Sequence, residues 1–380
     1  MIFVNSNLWQ IVLEDLSMNI DFRGLGSQGS AAFPFALGCA GMSGADIQSS
    51  DAESISTIHE AIEHGINVFD TADFYGGGHN ELLIGKAIRG RREKVLLSVK
   101  FGGLRSPDGA FVGLDARPKA VKNFLAYTLT RLAVDYIDVY RPARLDPQVP
   151  IEDTIGAIGD LVKAGYVRQI GLSEVGPETI RRAHAEHPIC DLQIEYSLMS
   201  RNAEKEIFPL LKELGIAVTA YGVLAHGLLS GTARQASEGD LRSHLPWFKG
   251  ENFERNQKLV EALGKIAQEK RVTNSQIAIA WVLAKGSSII PIVGSRTRMQ
   301  LQEALGALKL KLSTDDLARI ERAVPPEAVA GTRYDERLMK LLDSERKALS
   351  ADTPSTGIVN KFAPGHARAT VLDGHPKNDE

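Results

Sequence analysis

The stretch "VFDTADFYGGGHNE", Val68 to Glu81, sets a carboxylate, Asp70, and a phenol, Tyr75, just past a short apolar run. Further on, "VLLSVK" closes on Lys100. A lysine ending an apolar strand must snorkel to water or be paired. Facing Asp70, it is paired. Near Tyr75, its ammonium favours the phenolate and draws the phenol below its ordinary pKa of about 10. That is the setting of a proton donor or acceptor. The same residue types equally fit an ordinary salt bridge beside a packed tyrosine, and both readings stand at this point.

Other short apolar stretches also end in groups able to do chemistry. These are Arg144, Ser173 with Glu174, Gln193 with Tyr196, Tyr221, and Ser295 with Arg296. One polar residue at a strand end is usually a cap or a loop anchor. Several such ends meeting at one mouth would be a site. In a closed parallel barrel the C-terminal strand ends do meet there.

The chain supports that architecture. "FALG", "GINVFDTAD", "KVLLSVKFG", "DYIDVYRPA", "VRQIGLS", "CDLQIEYS", "IAVTAYG" and "SSIIPIVGS" are short and apolar. Amphipathic helical stretches such as "NELLIGKAIRG", "PKAVKNFLAYTLTRLA", "IEDTIGAIGDLVKAG", "AEKEIFPLLKELG" and "SQIAIAWVLAKG" alternate with most of them. Short strands buried on both faces and separated by helices mean a parallel sheet with helical cover. The expected class is α/β, a closed (β/α)8 barrel of the TIM type. A doubly wound sheet needs a glycine-rich phosphate turn after an early strand, and no GxGxxG occurs. "GLGSQGS" reads as a turn in a hairpin plugging the bottom of the barrel. Residues 1–34 are read as an N-terminal extension with that hairpin, 35–340 as the barrel, and 341–380 as a partly flexible extension.

Bulk properties narrow the partners. Net charge is -3 over 380 residues, so no strong field collects nucleic acid or anionic membrane. No apolar run is long enough to span a bilayer, and the first residues lack a basic leader region. Two cysteines, Cys39 and Cys190, make neither a disulfide framework nor a metal cluster. They are expected as buried reduced thiols in a cytoplasmic protein. No histidine pair shows metal-ligand spacing with a third ligand, so no metal is expected.

The quoted pieces, with "LGCAGMSG", "RLAVDYIDVY", "LQIEYSLMSR", "YGVLAHGLLSG", "PWFKGENFERN" and "PIVGSRT", resemble the aldo-keto reductase superfamily in the family's order. They look most like its branch related to bacterial and fungal pyridoxal reductases and to potassium channel beta subunits. The resemblance implies the same barrel, NADP as cofactor, and hydride exchange between a small-molecule carbonyl and an alcohol. It makes Tyr75 the proton donor, with Lys100 and Asp70 lowering its pKa. It assigns Ser173, Glu174 and Gln193 to the nicotinamide carboxamide and Tyr221 to stacking on its ring. Gly222, Leu224, Gly227 and Leu229 would shape the pyrophosphate belt. Ser295, Arg296 and Arg298, near a helix N-terminus, would hold the extra phosphate of NADP. "WFKGENFERN" resembles the loop that closes over the cofactor or substrate mouth, where Trp247 and Phe248 would line an apolar wall, with core or loop packing as the alternative. A monomer or small homo-oligomer is expected.

One position departs from the family pattern. In "DVYRPARLDP", aligned on Asp138, Arg144, Asp146 and Pro147, the usual catalytic histidine is Ala143. Alanine's side chain donates no hydrogen bond. A missing donor to a developing oxyanion costs about 10²–10³ in rate. His79, His226, Arg141 and Arg144 are the nearby candidates to compensate. The alternative to an enzyme is a nucleotide-binding regulatory protein of the same fold with little turnover.

Overall fold

The computed structural model describes residues 20–26, 30–43, 50–235 and 241–346. A short antiparallel hairpin, β1 (Arg23–Gly24) and β2 (Ala31–Ala32), precedes the first barrel strand. The barrel strands are β3 (Ala36–Gly38), β4 (Val68–Ala72), β5 (Leu96–Phe101), β8 (Ile137–Pro142), β9 (Val167–Ser173), β10 (Ile189–Glu195), β11 (Ala217–Tyr221) and β12 (Ile289–Gly294). They pair in parallel in that order, and β12 closes on β3. Each of the eight coincides with an expected stretch. A second hairpin, β6 (Gly103–Arg105) and β7 (Phe111–Leu114), follows β5 and was not anticipated.

Alternation along each strand sorts its side chains. Phe69 on β4, Leu97 and Val99 on β5, and Tyr140 on β8 join the large outer core beneath the helices. Val68, Val139, Cys190, Ile290 and Ile292 form a separate apolar cluster inside the barrel. Counting on by two from the inner residues leads to Asp70, to Ser98 and Lys100, and to Arg141 and Ala143. The inner face is therefore apolar at its base and polar toward its top.

The first hairpin closes the base. Its Leu25 and Ala32 belong to the inner cluster. Arg23 donates to the carbonyls of Gly286 at 2.7 Å and Leu283 at 2.9 Å, and also to that of Ile289. Gly26 holds φ +77°, and a β-carbon there would lie 2.4 Å from the Cys190 carbonyl oxygen. Only glycine fits. Residues 27–29 of this turn, and the tail from 347 onward, lie outside the described residues.

The middle of the barrel holds a buried ion pair. Arg141 Nη2 lies 2.9 Å from Asp191, and both side chains are fully buried. Arg141 also donates to Thr219 Oγ1 at 3.1 Å and to Ser98 Oγ at 3.0 Å. Gly171 leaves the room: a β-carbon there would sit 2.5 Å from Asp191 Oδ1 and 2.8 Å from Arg141 Nε. Both thiols, Cys39 and Cys190, are free and buried, and burial pushes their pKa values up. No helix of the described residues is long and apolar enough to cross a membrane.

Candidate active site

At the end of β4 the chain enters a tight turn. Gly76, Gly77 and Gly78 hold φ of +56°, +64° and +97°. A β-carbon at Gly76 would come within 2.9 Å of Ser43 Cβ, and one at Gly78 within 2.9 Å of Arg131 Cδ. This run of left-handed backbone is open to glycine at little steric cost. It holds Tyr75 at the wall of a cleft of about 870 Å³ in the barrel mouth.

Strand register brings the other two groups together. Ala72 pairs with Lys100 and Asp70 with Ser98 across β4 and β5. Lys100 Nζ donates to Asp70 Oδ1 at 2.6 Å, and both residues are buried. The ammonium lies 5.2 Å from the centroid of the Tyr75 ring. Asp70 Oδ2 accepts from Gln193 Nε2 at 2.7 Å and from Ser98 Oγ at 3.2 Å. Through Ser98 it connects to Arg141.

The expected low pKa of Tyr75 is not met in this state. Burial is the largest influence and raises the phenol. Lys100 pulls it down, but Asp70, which neutralises the ammonium, pushes it up again. The net direction is upward, although Tyr75 as a residue is only half-buried.

Ten of the fourteen expected site residues line the cleft: Asp70, Tyr75, Lys100, Gln193, Tyr221, Gly222, Leu224, Gly227, Ser295 and Arg296. Ser295 is buried there with its hydroxyl unpartnered, so it has a donor to offer a ligand. Ala143 and Arg144 also face the cleft.

The other four do not line it. Leu229 is a core residue and Ser173 is fully buried. Glu174 has both oxygens engaged, so it is not free to meet a carboxamide. Arg333 donates to them at 2.8 and 2.7 Å, Tyr221 OH at 2.8 Å, Ser344 Oγ at 2.5 Å and the Glu195 amide at 2.9 Å. Burial pushes the Glu174 carboxyl up, but Arg333 and its neighbours outweigh it and hold it at about 2. Glu195, also paired with Arg333, is pushed up by burial to about 7. Arg298 turns outward and forms an exposed ion pair with Glu53, at 3.1 Å.

Other candidates sort as follows. His79 bonds Ser43 at 2.9 Å and pairs with Asp51 at 3.1 Å, a loop-holding role. His226 lines the cleft with Nε2 unpartnered. Burial, aided by Arg242 and Arg333, lowers it to about 4, so it is neutral at pH 7. Tyr196 is a core residue whose hydroxyl donates to Glu204 at 2.5 Å. Trp247 and Phe248 are packed into the core as well. Sequence reasoning missed Arg333, and it gave Tyr334 no role. Tyr334 lines the cleft, its hydroxyl 3.2 Å from that of Tyr221. No run of apolar spacing marks "GTRYDE", so only its basic residue could have signalled an anchor. Among the described residues, no cluster of three or more potential ligands could hold a metal ion.

A family model described as the aldo/keto reductase family matches residues 34–325. A probable aldo-keto reductase 1 from Glycine max is 42% identical over 315 residues, covering 82% of this chain and 90% of that protein. Among solved structures, a glycerol dehydrogenase from Gluconobacter oxydans aligns with a TM-score of 0.72 at 27% identity, over 82% of this chain and 97% of that one. The holo form of an aldo-keto reductase from Bacillus halodurans aligns at 0.69 and 26% identity, over 84% and 99%.

Proposed function

Since the chain belongs to the aldo/keto reductase family, we propose that it is an NADP-dependent oxidoreductase interconverting an aldehyde or ketone and an alcohol, with Tyr75 as its proton-transfer group. The observation that carries this reading is the buried Lys100–Asp70 pair at 2.6 Å beside the Tyr75 ring, in the wall of the cleft. The three relatives described above are two aldo-keto reductases and a glycerol dehydrogenase. None is described as a pyridoxal reductase or a channel subunit, so the reaction is read at the level of carbonyl and alcohol.

The cleft residues fit a dinucleotide. Gly38, Gly41, Gly222, Gly227 and Gly294 along its wall let a ligand approach the backbone. Ser295 offers its unpartnered hydroxyl, and Arg296 brings a cation to the same end. Tyr221 presents a flat ring, anchored by its bond to Glu174. Bound there, the nicotinamide would supply or accept hydride. In the reductive direction Tyr75 gives its proton to the carbonyl oxygen. Lys100 stabilises the phenolate left behind, and Asp70 holds Lys100 in place. Gln193, donating to Asp70, braces this arrangement and leaves its amide oxygen for the nicotinamide carboxamide. Ala143 adds no donor. His226, neutral and with a free nitrogen, is on the cleft wall but is not assigned to the oxyanion.

The test is direct. Purified protein is titrated with NADPH and NADH by fluorescence, then assayed at the nicotinamide absorbance band with panels of carbonyls and alcohols. Tight NADPH binding with turnover is the expected result. Binding with no turnover across the panel would favour a regulatory nucleotide-binding role, and no binding would defeat both.

Arg298 yields a second expectation. Its pairing with Glu53 competes with any phosphate at the start of helix Arg298–Gly306. Glu53→Ala frees it. An exposed, solvent-screened pair holds its partners only weakly, so NADPH should bind no more than about 5-fold tighter while NADH binding stays level. Equal gains for both would show that Arg298 does not reach the phosphate.

A further inference from the structure

We infer that the substrate carries a carboxylate, held by Arg144 beside Ala143; this rests on the oxidoreductase reading above. Arg144 is half-buried and lines the cleft. Its recorded hydrogen bonds all leave from Nη1: one of 2.6 Å to the Ala143 carbonyl and one of 3.4 Å to Ser173 Oγ. Arg144 forms no ion pair among the described residues.

The acids around it are already committed. Asp70 is paired with Lys100, and Glu174 and Glu195 with Arg333. A half-buried guanidinium without an ion-pair partner has N–H donors to offer an anion from the cleft. The charge persists. Burial works against it, but its acidic neighbours Tyr221, Glu174 and Tyr334, of which Glu174 alone is charged at neutral pH, raise its pKa overall. An anionic ligand completes the set.

The surroundings select the kind of anion. Tyr75, Tyr221 and Tyr334 line the same cleft as Arg144, and its charge draws each phenol downward against the effect of burial. The cleft also has apolar lining, including Phe74, Phe111, Leu114 and Leu338. A planar guanidinium fork pairs with a carboxylate through two parallel hydrogen bonds. Ala143, the chain neighbour of Arg144 on the cleft wall, contributes only a methyl there. The substrate is then an oxo acid: an apolar body, a carboxylate at Arg144 and a carbonyl oxygen at Tyr75. Bound NADPH would supply the hydride for the new C–H bond and leave as NADP⁺. The C=O π pair takes the proton from Tyr75, and the product is the hydroxy acid.

Two measurements test this. In the first, kcat/KM is compared for 4-carboxybenzaldehyde and its methyl ester. The wild type should favour the acid by about 10- to 100-fold, the range for hydrogen bonds to a charged group. Arg144→Met should bring the acid-to-ester ratio toward one, and Arg144→Lys should fall between. The second needs no turnover: benzoate and benzamide are titrated calorimetrically onto protein with and without NADP⁺. Benzoate should bind tighter, and lose that advantage in Arg144→Met. Equal binding of benzoate and benzamide to the wild type overturns the inference, as does an unchanged acid-to-ester ratio in a folded Arg144→Met. Failure of both aldehydes to react, with benzoate still preferred, would strike the oxidoreductase reading and spare the carboxylate site.

Discussion

Tyr75→Phe should lower kcat by about 10²–10⁴, the usual reach of a positioned acid or base, while NADPH binds as before. The substitution deletes one hydroxyl and keeps the ring that packs edge-on against Phe74, with centroids 5.2 Å apart. Cofactor affinity read by fluorescence therefore separates lost chemistry from lost structure. The pH dependence should follow the raised phenol pKa. Carbonyl reduction needs the protonated phenol, so its rate holds through neutral pH and falls only on the alkaline side of the ordinary phenol range. Alcohol oxidation needs the phenolate, so its rate climbs over the same range. Lys100→Met removes the charge that draws the phenol down. It should push the alkaline limb higher and slow oxidation more than reduction. A loss below tenfold in Tyr75→Phe would show that the proton comes from elsewhere.

Arg333→Met should destabilise the fold by about 3–5 kcal/mol, the range for removing one partner of a buried ion pair. Arg333 is 5% exposed and faces two carboxylates with fully buried side chains, Glu174 at 2.7 Å and Glu195 at 3.2 Å. Their signs differ. Glu174 is held at about 2, below its ordinary value, so its stabilising share is present above about pH 4.5 and lost as pH falls toward 2. Glu195 is raised to about 7, so its share is present below about pH 4.5 and lost as pH rises through 7. Without the guanidinium both carboxyls prefer to be protonated, which acid permits and alkali does not. The deficit in denaturant melts should therefore be larger at pH 8 than at pH 5. A deficit under 1 kcal/mol, or one flat with pH, would mean that water or another cation replaces Arg333. Because Arg333 also bonds Glu345 at 2.9 Å, its loss should loosen the segment bearing Tyr334 and lower kcat/KM as well.

How much of this was legible follows from the range of each interaction. The eight barrel strands stood out because each is a short apolar run between turns. The β6–β7 hairpin did not, because its strands are short and only partly buried. Asp70, Tyr75 and Lys100 could be singled out because strand alternation and strand ends are local properties. Arg298 was read as a phosphate ligand from its place at a helix start, also a local property. What it actually meets is Glu53, 245 residues away in the chain. Glu174 looked available for the same reason, while its partner Arg333 lies 159 residues further on. The direction of the Tyr75 shift needed the balance of burial against two opposite charges, which residue types alone do not supply.

In barrels of this kind, the floor ordinarily governs endurance and the rim governs reaction, so each can drift without the other. The line from Asp191 through Arg141 and Ser98 to Asp70 crosses that divide. An alteration deep in the barrel at Arg141, or at Gly171 which makes space for it, should disturb Ser98 and through it the carboxylate that steadies Lys100. Here durability and reactivity are joined by one run of hydrogen bonds, so a change at Arg141 should be felt both in melting and in turnover.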